Sequence, residues 1–235
     1  MSKIYEALRK HESAPAKALN GHAFEHSQGS IIRALEPIYP IIGRLSAQSK
    51  RGLVVHFVAA SLGEGTSTLS GQFALLASRA GSPNVLLIDA DKEHLTTAGT
   101  YGCDTEHGVL EEFEAARPME ERILNFADNP ALSVASLVGR RSRPASLRVL
   151  PALYDQLRSK YELTVVDCPP VLSDRYLELS PDSADGIVLV VQAEHTRPAI
   201  IRNAQARIED AGGKLIGAVL NRRHTYIPRF LYRLL

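Results

Sequence analysis

The sequence predicts an α/β protein in which a doubly wound, mostly parallel sheet has helices on both faces. Six short apolar runs rich in β-branched residues recur along the chain, and helical stretches separate them. The runs are continuously apolar, as in strands covered on both faces, and alternating strands and helices with right-handed crossovers form a parallel sheet. The predicted strands are 53–59, 84–89, 132–137, 163–167, 186–192 and 214–220.

Two intervening segments carry clear helix signals. The stretch TSTLSGQFALLASRAG has an apolar face and is expected to end at Gly81. The stretch TRPAIIRNAQARIEDAGG is expected to start with Thr196 as N-cap and Pro198 in the first turn, and to end at Gly212. Residues 95–130 give little signal beyond GVLEEF, which suggests a helical turn.

The remaining segments define the predicted domain organisation. Residues 1–11 have the spacing of a short amphipathic helix, and the small, polar residues 12–30 predict a flexible linker. Next comes IIRALEPIYPIIGRL, an apolar stretch that Pro37 and Pro40 are expected to break into a bent arm against the main body. The main domain would span residues 31–235, including a basic C-terminal tail.

The charge distribution predicts no nucleic-acid partner but leaves two basic ends. The 235 residues have a formal net charge of +1, and 45% are hydrophobic, enough for a sizeable core. Residues 1–51 carry 8 Lys and Arg against 4 Asp and Glu, and residues 222–235 carry 4 against none. Such ends suit an acidic partner or an anionic membrane surface, or they are simply solvated.

The cysteine usage favours a reducing compartment. Cys103 and Cys168 lie far apart and match no metal-ligand spacing. Because the sequence shows no secretory signal and no apolar run of about 18 residues, we expect a cytoplasmic protein.

A glycine-rich turn follows the first predicted strand and opens a helix. Its glycines would let backbone N–H groups wrap an anion, and the helix N-terminus adds partial positive charge. The Walker A pattern places a lysine before its Ser/Thr, whose hydroxyl ligates Mg²⁺; here Thr66 stands at the lysine position and Ser67 at the metal-binding one. The candidate nucleotide-binding residues of this turn are Gly63, Glu64, Gly65, Thr66, Ser67 and Thr68.

Three aspartates follow other predicted strands. Asp89 and Asp91 end the run LLIDAD, and Asp167 ends TVVD. Each alone could be a turn or helix-cap residue, but the carboxyl ends of parallel strands share one edge of the sheet. Together they predict a Mg²⁺–nucleotide site, with Ser67 and Asp167 at the metal and Asp89 placed to orient a nucleophile, Asp91 beside it.

Asn221 ends the last predicted strand. Its side-chain amide could face a purine edge or form a turn, and both interpretations stay open. Arg222 follows it as a further nucleotide-binding candidate.

With these motifs assembled, nearly the whole chain resembles the bacterial tyrosine kinases (BY-kinases) of capsule and exopolysaccharide synthesis, relatives of the ParA/MinD-type P-loop ATPases. MSKIYEALRK is similar to the start of cytoplasmic members, and GEGTST stands where they have GEGKST. LLIDAD looks like their Walker A′ motif and VVDCPPVLSD like Walker B. The segments SADGIVLVVQAEHTRPA and GAVLNRR match later strands, and YIPRFLYRLL looks like one subgroup's tail.

The resemblance implies a P-loop NTPase fold with ATP or ADP and Mg²⁺ as cofactors. It also implies a role in polysaccharide biosynthesis and export, with a membrane-embedded polysaccharide co-polymerase of the inner membrane as partner and possible self-association. The protein would then lie at the cytoplasmic face of that membrane. Tyr226 and Tyr232 are the candidate phosphoacceptors in the tail.

Several departures from the family pattern point to a pseudokinase that acts as a regulator or scaffold with weak or no kinase activity. Thr66 replaces the Walker lysine, and Leu62 replaces a proline. KEH replaces the arginines after the Walker A′ aspartates, which leaves Lys92 as the one firm cation there. The family's E-x-x-R-x-x-R motif has its nearest match in EPIYPII, without either arginine.

Two alternatives stay open. An active ATP-dependent autokinase or ATPase could use Lys92, or an arginine from a neighbouring subunit, in place of the missing lysine. A ParA/MinD-like positioning ATPase is less favoured, because residues 58–62 read VAASL and lack that group's extra signature lysine.

Overall fold

The structure is a computed structural model that describes residues 31–32, 34–80, 82, 84–141 and 147–222. Its centre is a seven-stranded sheet in the order β3-β4-β2-β5-β1-β6-β7, parallel throughout except for the antiparallel pair β3 and β4. The strands are β1 Leu53–Ala59, β2 Val85–Asp89, β3 Leu124–Phe126, β4 Asn129–Ser136, β5 Leu163–Asp167, β6 Gly186–Gln192 and β7 Leu215–Asn221.

Helices cover both faces of the sheet, which confirms the predicted fold class. The α-helices are α1 Tyr39–Gln48, α2 Thr66–Arg79, α3 Thr96–Tyr101, α4 Val109–Glu114, α5 Leu150–Lys160, α6 Asp174–Leu177 and α7 Pro198–Asp210. Short 3₁₀ helices lie at Met119–Arg122, Leu147–Val149 and Pro181–Ser183. One core layer packs α1, α2 and α3 on the sheet, and the other packs α4, α5, α6 and α7 on the opposite face.

All six predicted strands are present, and a seventh was not predicted. Strand β3 is three residues long and none of its side chains is fully buried, so it lacks the apolar run that marks the others. It pairs only with β4 at the edge of the sheet. A short edge strand has little side-chain pattern to read, because only one neighbour and one face constrain it.

The segment before β1 packs against the body as a bent arm, as predicted, but Pro40 does not break it. Pro40 lies in the first turn of α1, where its missing N–H has no helical partner to lose. The bend lies at the turn around Pro37. Tyr39 and Ile42 are buried, and the Tyr39 ring stacks on Phe73 of α2 with a centroid separation of 4.9 Å.

The N-cap assigned to Thr196 is wrong. The N-cap of α7 is Arg197, without a side-chain hydrogen bond. The C-terminal prediction is confirmed, since α7 ends at Asp210 and Gly212 follows with φ of +74°.

Several predictions lie outside the described residues: the helix at 1–11, the linker at 12–30, the stop at Gly81, and the tail with Tyr226 and Tyr232. Within the described ranges, no helix combines the length and apolar character needed to cross a bilayer.

Candidate nucleotide-binding site

The predicted site residues are brought together at the edge where the central strands end. Strands β2, β5, β1, β6 and β7 are neighbours and parallel, so their carboxyl ends lie side by side. Asp89 and Asp167 are opposite each other in the register of β2 and β5. The loop between β1 and α2, residues 60–65, lies at the same edge; we call it the phosphate loop.

The phosphate loop has the backbone of an anion site. Gly63 and Gly65 adopt left-handed conformations, with φ of +84° and +93°. Gly65 directly precedes α2, and the first-turn N–H groups of any helix have no intrahelical acceptor. The amides of Thr66, Ser67 and Thr68 are therefore placed to bind an anion at the positive end of the helix.

Glu64 is the point at which the phosphate loop is held. Its side chain is buried, with a relative exposure of 2%. One carboxylate oxygen accepts a hydrogen bond from the Ser61 amide at 3.1 Å, and the other accepts one from the Thr196 hydroxyl. The Glu64 carbonyl accepts a hydrogen bond from Asn221 Nδ2 at 2.8 Å. The side chain predicted to bind nucleotide is thus engaged within the protein.

Asn221 and Arg222, at the end of β7, form hydrogen bonds with other groups of the protein. Arg222 N donates to Asn221 Oδ1 at 2.9 Å, and Arg222 Nη1 donates to Gln192 Oε1 at 3.3 Å. A contact of either residue with a purine stays a prediction.

Asp89 and Asp167, the acid pair, are buried carboxylates on adjacent strands. Asp89 has no exposed surface and accepts hydrogen bonds from the Ala98 amide at 2.9 Å and the Asp91 amide at 3.1 Å. Burial raises the pKa of Asp89 to about 6, although the backbone donors oppose the shift.

The second member of the acid pair is shifted further. Burial and the neighbouring Asp89 raise the pKa of Asp167 to about 7, while hydrogen bonds from Thr97 and Ser67 lower it. The Thr97 hydroxyl donates to Asp167 Oδ2 at 2.5 Å. No lysine or arginine is among the principal groups that shift either pKa.

The donor set fits a magnesium ion. Mg²⁺ prefers oxygen ligands, usually one or two carboxylates, a hydroxyl and phosphate oxygens. Ser67 and Asp167 supply such oxygens close together, and a divalent cation there would neutralise the Asp167 carboxylate. The assignment of Ser67 and Asp167 to the metal stays a prediction.

Asp91 lies outside the buried pair, in the turn after β2. Its carboxylate oxygens contact His94 Nδ1 at 2.7 Å and the Glu93 amide at 3.2 Å. The carboxylates of Asp91 and Glu93 and the His94 ring lie within 4.8 Å of one another. These contacts are local to the turn. A catalytic role for Asp89 or Asp91 stays a prediction.

Thr66 begins α2 at the position of the Walker lysine and is 9% exposed. Between residues 59 and 73 the sequence holds no lysine or arginine, and Glu64 is its only charged residue. Leu62, at the proline position, projects into solvent with 68% exposure. The only formal charge in this segment is therefore negative, on the buried Glu64.

Sequence reasoning missed Thr97 and the role of Thr196. Thr97 lies in the segment with no clear pattern, and a hydroxyl facing Asp167 leaves no trace in local periodicity. Thr196 precedes Pro198, which made it a plausible cap. Its actual partner, Glu64, lies 132 residues earlier in the chain.

Comparison with known proteins finds homologues among bacterial tyrosine-protein kinases. No protein-family model matches the chain. The tyrosine-protein kinase CpsD of Streptococcus agalactiae is 24% identical over 176 residues, which cover 74% of this chain and 76% of CpsD. The tyrosine-protein kinase YwqD of Bacillus subtilis is 26% identical over 170 residues, 71% of each chain.

Solved structures share the fold. The kinase domain of the Escherichia coli tyrosine kinase ETK superposes with a TM-score of 0.71 at 20% identity, covering 95% of this chain and 89% of ETK. The chimerical protein CapA2B2 gives 0.67 at 23% identity, with 84% and 91% covered. The septum site-determining protein MinD of Pyrococcus horikoshii, complexed with Mg-ADP, gives 0.62 at 20% identity, with 77% and 76% covered.

Proposed function

We propose that this chain, a homologue of the bacterial tyrosine-protein kinases, acts in capsule- or exopolysaccharide-type polysaccharide biosynthesis as a nucleotide-binding regulator or scaffold with weak or no phosphoryl transfer. The names of its relatives support the kinase-like ancestry. The shared fold and the Mg-ADP complex of its MinD neighbour support a nucleotide site.

One observation carries the proposal. Thr66 begins α2 directly after the phosphate loop, at the position of the Walker lysine, and residues 59–73 contain no lysine or arginine that could replace it. A charge-assisted hydrogen bond contributes about 1.5–3 kcal/mol to binding. Its loss costs more in a transition state that gains charge on the transferring group. Thr66 can donate a hydrogen bond to a phosphate but cannot neutralise it, so binding survives better than catalysis.

The remaining residues keep the roles that suit nucleotide binding. The amides at the start of α2 would bind phosphate oxygens, and Ser67 and Asp167 would hold Mg²⁺, which supplies positive charge against the phosphates. Asp89 would be the residue that orients a water or hydroxyl, and two backbone donors fix its carboxylate.

The family resemblance extends the proposal to partners and location. A membrane-embedded polysaccharide co-polymerase would hold the protein at the cytoplasmic face of the inner membrane, with self-association possible. The four arginines of residues 222–235, without any acid, would assist contact with that partner or with anionic lipid.

The test is a titration of the purified wild type, Thr66→Lys and Thr66→Met with Mg²⁺-ATP. Thr66→Lys should bind about one to two orders of magnitude more tightly than the wild type, because it restores the charge-assisted contact. Thr66→Met has a similar length without charge and should show no such gain. Equal gains in both variants would mean that side-chain length, rather than the missing charge, limits binding.

Mass spectrometry for phosphotyrosine completes the test. The wild type should carry no phosphate on Tyr226 or Tyr232 after incubation with Mg²⁺-ATP. Micromolar binding by the wild type together with phosphate on either tyrosine would overturn the proposal and favour an active autokinase. Loss of that activity in Lys92→Met would then identify Lys92 as the substitute cation.

A further inference from the structure

We infer that Thr196, on the connection between β6 and α7, is a positioning residue for the phosphate loop, which it holds in its anion-binding shape through Glu64. Asn221, at the end of β7, contributes a second contact by donating a hydrogen bond to the Glu64 carbonyl. The inference deepens the proposed nucleotide-binding function and rests on it for its effect on affinity, but the anchoring of the loop can be tested without nucleotide.

The contacts that hold the phosphate loop converge on one residue. The side chain of Glu64 reaches the Thr196 hydroxyl, and the backbone of Glu64 reaches the amide of Asn221 at 2.8 Å. Both partners lie more than 130 residues away in the chain, at sequence separations of 132 and 157. Glu64 therefore joins the loop to two neighbouring strand ends that local sequence does not connect to it.

The two anchors are themselves linked, which makes the arrangement a closed ring. The Thr196 amide donates to the Gln192 carbonyl at 3.1 Å, and the Ala193 amide donates to the Asn221 carbonyl at 2.9 Å. The connection after β6 and the end of β7 are thus hydrogen-bonded to each other. Glu64 binds the first through its side chain and the second through its backbone carbonyl. Movement of the loop would break contacts on both sides.

The chemistry of Glu64 makes the Thr196 contact important. Its carboxylate is buried, and within the described part of the chain no cation forms an ion pair with it. Hydrogen bonds from Ser61 and Thr196 are therefore what compensates its burial. Since α7 is capped by Arg197, the Thr196 hydroxyl has no capping role that competes with this one.

The phosphate loop needs such an anchor because its glycines leave the backbone free. Gly63 has no atom within 4 Å of where a Cβ would stand, and Leu62 beside it is largely exposed. A loop of this kind has many accessible conformations unless other contacts remove them. Fixing it before the ligand arrives lowers the entropic cost of binding.

The experiment compares Thr196→Val with Thr196→Ser by hydrogen–deuterium exchange in nucleotide-free protein. Valine keeps the shape of threonine and removes the hydroxyl, whereas serine keeps the hydroxyl. In Thr196→Val, exchange of the Ser61 and Leu69 amides, which donate to the Glu64 carboxylate and the Gly65 carbonyl at the two ends of the loop, should rise about tenfold, with the sheet unchanged, because the loop opens locally. Thr196→Ser should remain close to the wild type.

The matched control is Thr164→Val, the same substitution in β5, where the buried hydroxyl has no hydrogen-bond partner among the residues that the structure describes. It should leave exchange of the Ser61 and Leu69 amides unaltered. Unchanged loop exchange in Thr196→Val would overturn the inference. Faster exchange throughout the sheet in that variant would also overturn it, since Thr196 would then serve general stability.

Affinity for Mg²⁺-ADP, measured by calorimetry on the same proteins, gives the second result. Thr196→Val should bind about tenfold more weakly, and Thr196→Ser should restore the wild-type value. Faster loop exchange with undiminished affinity would show that the anchor does not serve ligand binding, and the inference would fail. If the wild type itself binds no nucleotide while the exchange results hold, the proposed function fails and the anchoring stands.

Discussion

Charged groups are buried at both ends of the strands, but the two sets of groups have different surroundings. At the edge where β1 and β6 begin, Arg158 is 5% exposed and donates to Asp185 Oδ2 at 2.8 Å and Asp155 Oδ1 at 3.0 Å. At the edge where the strands end, Asp89 and Asp167 are buried beside each other, and their pKa values are raised rather than lowered.

The two groups of charges differ in how far the fold itself compensates them. The Asp185 carboxylate also accepts a hydrogen bond from the Val54 amide at 2.8 Å. The charges of Arg158 and Asp185 are therefore compensated by groups of the fold itself. In the acid pair two carboxylates lie side by side, and Asp89 contributes to the raised pKa of Asp167. Strongly shifted pKa values of this kind cluster at functional sites in proteins. The proposed Mg²⁺ at Ser67 and Asp167 would account for this difference.

Removing the paired cation should have the largest effect on stability. Arg158→Met leaves the carboxylate of Asp185 without its buried partner, and we expect a loss of about 3 kcal/mol in the free energy of unfolding. Urea denaturation followed by circular dichroism measures this loss. The control is Arg51→Met, since Arg51 also binds Asp155 but its side chain is 58% exposed; it should cost less than about 1 kcal/mol. Similar losses in both variants would contradict the comparison.

Neutralising Asp167 of the acid pair should instead raise the free energy of unfolding. The pKa of Asp167 is raised in the folded state to about 7 from 3.8, so the folded protein binds its proton more tightly than the unfolded chain. The resulting stability is fully present below about pH 4 and is lost as the pH rises towards 7. Asp167→Asn should therefore stabilise the nucleotide-free protein at pH 8 by roughly 1–3 kcal/mol, and much less at pH 4.5.

Thermal unfolding of the wild type and Asp167→Asn between pH 4.5 and pH 8 measures this difference. Asp185→Asn is the matched control and should destabilise the protein at pH 8, because its carboxylate is paired with Arg158. A pH-independent difference between the wild type and Asp167→Asn would show that Asp167 is not held at a raised pKa.

The strands and the convergence of the acid pair could be predicted from the sequence. Continuous apolar runs reveal strands buried on both faces, and an aspartate at the end of such a run lies at a known edge. This pattern predicts that Asp89 and Asp167 lie together, and the register of β2 and β5 confirms it.

The finer contacts could not be predicted, because they join residues with no local relation. Glu64 appeared as a loop residue facing a ligand, whereas the fold buries its side chain against Thr196. Thr97 reaches Asp167 from 70 residues away, out of a segment without clear periodicity. Such contacts depend on how the elements pack, and hydroxyl donors of this kind have no characteristic spacing.

The smallest expected effects concern glycines inside and outside the phosphate loop. At Gly65, φ is +93° and an added Cβ would stand 2.2 Å from Asn221 Nδ2, so Gly65→Ala combines backbone strain with a displaced anchor. We expect it to cost about 1–2 kcal/mol of stability. Gly63→Ala meets open space at φ of +84° and should cost about 1 kcal/mol, from backbone strain alone.

Gly99, in α3, is the control for these substitutions because it has an ordinary φ and no atom within 4 Å of an added Cβ. Gly99→Ala should stabilise the protein by about 0.5–1 kcal/mol, as alanine favours helix. Urea denaturation of the three variants therefore orders them by local strain. Equal effects at Gly63 and Gly65 would mean that Asn221 adjusts without cost, and the close packing of β7 against the phosphate loop would then contribute nothing to the stability of the site.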